Sequence, residues 1–358
     1  MAGEPKSRRE FLAPAASAAP AASAAAASSV VPVGGSTIHV ATRAMACEFA
    51  VIMNGGAHDR TMAVGDVLQL IADIETWLSV YRPHSEISAV NQRAAEERVR
   101  VRPPLLELLQ TSVRLSEQTD GAFDVAAGAQ IQLWHACRAE QRIPSEQERA
   151  AAVVASGARQ LQLDPQDSSV RFATPGVRLD PGAIGKGYAL DEAAAWMEKM
   201  EGCPDDFLVH GGHSSLVARG SHEGQGGWPV GIGNPLFTKK RLGTVLLRNQ
   251  AMSTSGSNIQ FFRHEGRRYG HILDPRSALP VEGMLSVTVF AESAAIADAL
   301  STAFFVLGVE NAQKCCDNLP NVGVILVPFP ERGTRVTPTV IGVPEDQIFW
   351  DDEQVTLR

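Results

Sequence analysis

Asp298 and Thr302 stand four residues apart in "ADALSTAFF", a segment otherwise made of Ala, Leu, Ser and Phe. On a helix that spacing puts a carboxylate and a hydroxyl on one largely apolar face. A carboxylate there needs a partner, because an unpaired buried charge costs about 3–5 kcal/mol. A hard cation such as magnesium would satisfy both oxygens, with phosphate oxygens as further ligands. Nearby backbone amides, with Thr302 bonded within its own helical turn, would satisfy them as well.

Lys186 lies in "RLDPGAIGKGYALD", where a strand is expected to end at Asp180, a Gly-rich turn to follow, and a helix to begin near Gly187. Glycines let backbone amides approach a ligand, and a helix N-terminus favours anions. The alternative is a tight turn with a solvent-facing lysine. In "RRYGHILDPRSALPV" (Arg267–Val281), His271 and Asp274 sit with Tyr269 and arginines beside a turn-forming proline. That is either a polar loop or the rim of an active site.

The surrounding chain must position these groups. It has 358 residues, 44% hydrophobic and 20% charged, enough for a large buried core. Its formal net charge of −8, with no long basic run, argues against a nucleic-acid partner. "TIHVATRAM" and "CEFAVIM" read as paired strands. "DVLQLIADIETWL" carries Val67, Leu70, Ile71, Ile74 and Leu78 at helical spacing. "PPLLELLQTSVRLSEQTDG" reads as a second helix and "SEQERAAAVVA" as a third, with Ser145 and Glu148 as a capping box. From Val170 onward short strands dominate, interrupted by helices in "GKGYALDEAAAWMEKM" and "SAAIADALSTAFFVLG". The expected class is α+β, largely antiparallel sheet with packed helices. No GxGxxG joins a strand to a helix, which argues against a doubly wound dinucleotide fold.

The first 30 residues read as an export signal, a basic head followed by an Ala-rich stretch, and "SRREFL" (Ser7–Leu12) with Arg8 and Arg9 resembles the twin-arginine motif. The alternative is an Ala-rich tail with two chance arginines. This implies an extracytoplasmic, periplasmic location for a mature chain expected to lack a transmembrane segment. Residues 36–345 are expected to form the folded domain and 346–358 a C-terminal tail. The five cysteines (Cys47, Cys137, Cys203, Cys315 and Cys316) fit no disulfide framework and read mostly as buried thiols.

Eight stretches, in order from about Ile38 to Leu307, resemble the ApbE family of flavin transferases: "MACEF", "IETWLSVYRPHSEISAVNQ", "TDGAFDVAAGAQIQLW", "LDPGAIGKGYALD", "GGHSSLVARG", "AMSTSGSNIQFF", "YGHILDP" and "ADALSTAFFVLG". The resemblance implies an ApbE-like, T-fold-related fold. It implies magnesium-dependent transfer of FMN from FAD to a Ser/Thr hydroxyl of an acceptor flavoprotein, with AMP released. Hydrolysis of FAD to FMN and AMP, or flavin binding without turnover, are the alternatives. Flavin contacts are implied for Met45, Tyr81, the Ala122–Phe123–Asp124 turn, Asp180, Lys186 and Val281. Magnesium (Mg2+) is implied on Asp298, Thr302 and the Ala183 carbonyl, and His271 matches the family's proposed base, with Asp274 beside it. Three departures stand out. Ala46 and Cys47 replace the family's usual Gly-Thr, Ser277 and Ala278 replace its Thr-Gly, and His210 and His213 flank the paired glycines. These histidines could be ligands, but satisfied surface residues are the plainer expectation.

Overall fold

The structure is a computed structural model that describes residues 36–56, 61–257, 261–330, 332–351 and 355–356. The expected export signal and residues 258–260 of "AMSTSGSNIQFF" lie outside these residues. The strands are β1 (Thr37–Ala44), β2 (Cys47–Asn54), β3 (Val99–Arg100), β4 (Leu161–Asp164), β5 (Ser169–Phe172), β6 (Phe207–Gly211), β7 (Ser215–Arg219), β8 (Trp228–Gly233) and β9 (Arg241–Leu247). They continue with β10 (Ala251–Gly256), β11 (Phe261–His264), β12 (Arg267–Gly270), β13 (Leu273–Asp274), β14 (Leu279–Pro280), β15 (Met284–Ala291), β16 (Gly323–Pro328), β17 (Thr339–Ile341) and β18 (Ile348–Trp350). The helices are α1 (Thr61–Leu78), α2 (Glu86–Arg93), α3 (Pro103–Gln118), α4 (Gly128–Ala139), α5 (Glu146–Val154), α6 (Gly185–Lys199) and α7 (Ala294–Cys316).

An eight-stranded sheet in the order β1-β2-β6-β7-β10-β15-β16-β17 is antiparallel throughout. One face carries Phe49, Val51, Val209, Val217, Val287 and Val289 against the apolar stripes of α1, α6 and α7. The other face presents Ile52, Leu208, Leu216, Met252 and Phe290 to Trp228, Val230 and Val245 of the three-stranded sheet β18-β9-β8. A strand covered on both sides has no solvent face to mark with polar residues, so β15 reads as a nearly unbroken apolar run and is buried along its whole length. The α+β expectation holds. Strand β18 pairs with β9, so the folded unit extends past residue 345 into what the sequence suggested was a tail.

The α6–α7 contact sets the site. At Gly187 an added Cβ would lie 2.1 Å from the Ala294 carbonyl oxygen, so only glycine allows this approach. Asp191 of α6 caps the start of α7. Its carboxylate accepts from the Ser293 hydroxyl at 2.6 Å and from the Ala294 and Ala295 amides at 2.7 and 2.9 Å. Burial pushes the Asp191 carboxyl upward, while these bonds hold it down. Helix α7 is broken at Gly308, with φ 70° and ψ −179°. By length and composition it is apolar enough to cross a bilayer, yet its first half packs in the core.

Candidate active site

Asp298 stands one turn into α7 and is only 5% exposed. Its Oδ1 accepts from the Ser215 and Ser253 hydroxyls at 3.1 and 3.0 Å. Its Oδ2 accepts from the Gly187 amide at 3.2 Å. That amide belongs to the first turn of α6, where backbone N–H groups lack helical acceptors, so the positive helix end faces the carboxylate. Lys186 Nζ reaches both oxygens, at 3.5 and 3.4 Å. Ser215 and Ser253 are direct cross-strand partners on β7 and β10. Next along β10, Ser255 lies 3.2 Å from the Thr302 hydroxyl. Asp298 and Thr302 thus share the face that their spacing indicated. A backbone amide does hold Asp298, as the plainer reading required, but together with a lysine and two serines. Thr302 points across to β10.

The donor set that the contacts bring together is chemically hard, one carboxylate and several hydroxyls, and Pro181–Ala183 form a 3-10 turn one residue ahead of α6. Such oxygens fit magnesium, and their low charge leaves room for phosphate ligands. No group of three or more His, Cys, Asp or Glu side chains gathers to hold a metal among the described residues. The Cys47 thiol lies within electrostatic range of Lys186 and Asp298, but burial pushes it up to about 11, so it stays protonated and a poor ligand.

Asp180 caps the same 3-10 turn, accepting from the Gly182 amide at 2.9 Å. The expected strand before it is only an isolated bridge, Ala127 to Arg178, and α6 starts at Gly185, two residues early. Asn91 of α2 clamps this segment by bonding both backbone groups of Leu179. A cavity of about 310 Å³ opens here, lined by Tyr81, Asn91, Ile131, His135, Arg178 and Asp180 among others. Tyr81 is 79% exposed, so its ring stands at the rim and is no part of the core. A larger cavity, about 1000 Å³, lies by Phe329, Arg335 and Trp350 and contains none of the expected site residues.

The Ala122–Asp124 turn runs beside this segment, with the Asp180 amide bonded to the Val125 carbonyl at 2.7 Å. Phe123 is buried in the core, so a ligand here would meet its backbone and not its ring. Asp124 braces the loop by accepting from the Ala126 and Ala158 amides. Burial raises its carboxyl pKa.

His271 is exposed between β12 and β13. Its loop hangs on α4: Gln130 donates to the Pro275 carbonyl at 2.7 Å and Trp134 to the Ala278 carbonyl at 2.8 Å. Trp134 also packs on Phe262 and Tyr269, which stiffens the β11–β12 hairpin. Asp274 directs its carboxylate to Arg276, whose Nε and Nη2 donate at 2.8 and 2.9 Å. Val281 and Met45 are half-buried against the main core.

A family model, the ApbE family, matches residues 35–326. The chain belongs to the ApbE family. It is 30% identical over 273 residues to an FAD:protein FMN transferase of Klebsiella pneumoniae, covering 76% of this chain and 83% of that protein. It is also 30% identical over 310 residues to one of Treponema pallidum, covering 82% and 84%. The crystal structure of the ApbE protein of Thermotoga maritima superimposes with a TM-score of 0.74 at 28% identity, over 82% of this chain and 94% of that one.

Within this ApbE fold the departures take physical form. Ala46 and Ala278 both hold left-handed backbone, φ 60° and 54°, where a glycine would sit without strain. Each costs about 1–2 kcal/mol relative to glycine. His210 is not at the surface but 5% exposed, stacked on His213 at 5.0 Å between ring centroids. Its Nδ1 has no hydrogen-bond partner among the described residues.

Burial, helped by His213 and His39, lowers the His210 pKa to about 4. Above about pH 6.5 the ring is neutral in folded and unfolded chains alike. As pH falls from 6.5 toward 4 the unfolded chain takes the proton first, so stability falls, and below 4 the loss stops. The full effect is about 3 kcal/mol. Denaturant melts of wild type and His210→Leu should therefore show a stability difference that shifts by about that amount between pH 7 and pH 4. A difference independent of pH would rule out a buried neutral His210.

Proposed function

We propose that this chain is an exported FAD:protein FMN transferase that moves FMN from FAD to a Ser/Thr hydroxyl of an extracytoplasmic acceptor flavoprotein. The observation that carries this reading is the convergence of Asp298, Thr302, Lys186 and the α6 N-terminus in a chain of the ApbE family. The acceptor oxygen forms a bond to the FMN phosphorus. The bond from that phosphorus to the bridging oxygen breaks, and AMP leaves with the electron pair. Magnesium, when bound, neutralises charge developing on the phosphate oxygens. Asp298, Thr302 and the Ala183 carbonyl would hold it. Lys186 and the Gly187 end of α6 offer positive potential to the pyrophosphate. His271 takes the acceptor hydroxyl proton, and Asp274 with Arg276 fixes the loop that presents it. Tyr81 at the cavity rim offers a flat face to a ring system.

Incubation with FAD, magnesium and a threonine-containing acceptor peptide tests this. Mass spectrometry should show the peptide gaining the FMN mass as AMP appears. FMN and AMP released with no change in the peptide would replace transfer by hydrolysis.

The export part of the proposal rests on Arg8 and Arg9 in "SRREFL". With both changed to Lys, the chain should remain unprocessed in the cytoplasm on cell fractionation. Processed protein in the periplasm would end the twin-arginine reading.

A further inference from the structure

Every lone pair that Asp298 could offer a cation already faces a donor. Oδ1 is approached by Ser215, Ser253 and Lys186, and Oδ2 by Gly187 and Lys186. The Asp298 charge is moreover countered by the ammonium, and no group of three or more acidic, His or Cys side chains gathers there among the described residues. A divalent cation entering this site alone would gain one carboxylate and meet the Lys186 charge at close range. The lysine side chain is 25% exposed against 7% for Asp298, so the lysine has a path outward that the aspartate lacks.

We infer that Lys186 is a placeholder cation for the metal position, which leaves Asp298 when a pyrophosphate arrives to receive it, so that nucleotide and divalent cation load together. This rests on the proposed function above. The pyrophosphate does two things at once. It takes the ammonium away from Asp298, and it supplies the negative charge that the protein does not. The resulting coupling is reciprocal: nucleotide tightens the cation and the cation tightens nucleotide.

The test is calorimetric titration with magnesium, with and without ADP, which brings a pyrophosphate but no flavin to transfer. Wild type should bind magnesium weakly alone and at least tenfold more tightly with saturating ADP. Lys186→Met should bind magnesium alone at least tenfold more tightly than wild type, bind ADP alone more weakly, and lose most of the coupling. Lys186→Arg, which keeps the charge, should stay within about threefold of wild type for magnesium alone. A thermal melt of each variant checks folding, and if Lys186→Met does not fold, Lys186→Gln takes its place with the same expectation. Magnesium affinity unchanged or weakened on removal of the charge, with ADP still bound, would overturn the placeholder role and leave the proposed function standing. Wild type that binds no magnesium even with ADP would overturn both.

Discussion

His271→Ala should bind FAD within a few-fold of wild type and yet transfer FMN about 10²–10⁴ times more slowly, the usual effect of losing a general base. The side chain is exposed on a loop whose shape is set elsewhere, by Gln130 and Trp134 on the Pro275 and Ala278 carbonyls and by the Val281 amide on the Ile272 carbonyl. None of those bonds passes through the imidazole, so the variant keeps them. Isothermal titration with FAD beside single-turnover transfer separates the outcomes. Intact binding with intact transfer would remove His271 from the chemistry, and lost binding with a lowered melting temperature would make it structural.

Asp298→Asn should lower FAD turnover at least tenfold, with partial rescue at high magnesium. The substitution keeps the shape and deletes the charge, but it also replaces one acceptor oxygen by a donor NH2. In a site where Oδ1 meets two hydroxyls and Oδ2 meets an amide and an ammonium, that NH2 must face at least one other donor. The hydroxyls can turn to accept, whereas the Gly187 amide cannot, so the amide oxygen is expected to stay on the α6 side and the nitrogen on the serine side. A fall in turnover that magnesium partly reverses, in a variant with near-wild-type circular dichroism, fits a cation ligand. Full activity at low magnesium would take Asp298 out of that role.

What the sequence made legible was local. The β1–β2 hairpin follows from its alternating pattern, and α5 from the Ser145–Glu148 capping box, which forms in full. Asp298 and Thr302 could be paired by counting along one helix. The contacts that complete the site join distant segments, and no local spacing encodes them. Ser215 and Ser253 meet only through the β7–β10 register. Asp191 closed a quoted motif, but its role as the cap of α7 depends on how two helices pack. Asn91 and Gln130 were likewise inside quoted stretches, as polar side chains whose targets are backbone groups 88 and 145 residues away. His210 reads from the sequence as a surface residue yet is buried, because a β-strand in a sheet covered on both faces gives no polar alternation to read.

The site is thus built from long chain closures. Lys186 reaches Asp298 across 112 residues and Asp191 reaches Ser293 across 102. Contacts of that separation carry a loop-closure entropy that local structure does not repay, so they form late in folding. The cluster around Asp298 therefore comes into being with the whole molecule and not with any fragment of it, because a nascent chain ending before α7 lacks Asp298 and Thr302. By mass action a ligand that recognises only the finished fold stabilises all of it at once, by about 2.7 kcal/mol at a hundredfold excess over Kd. FAD is then a folding clamp as well as a substrate, and the loaded protein should resist unfolding as one cooperative unit from β1 to α7.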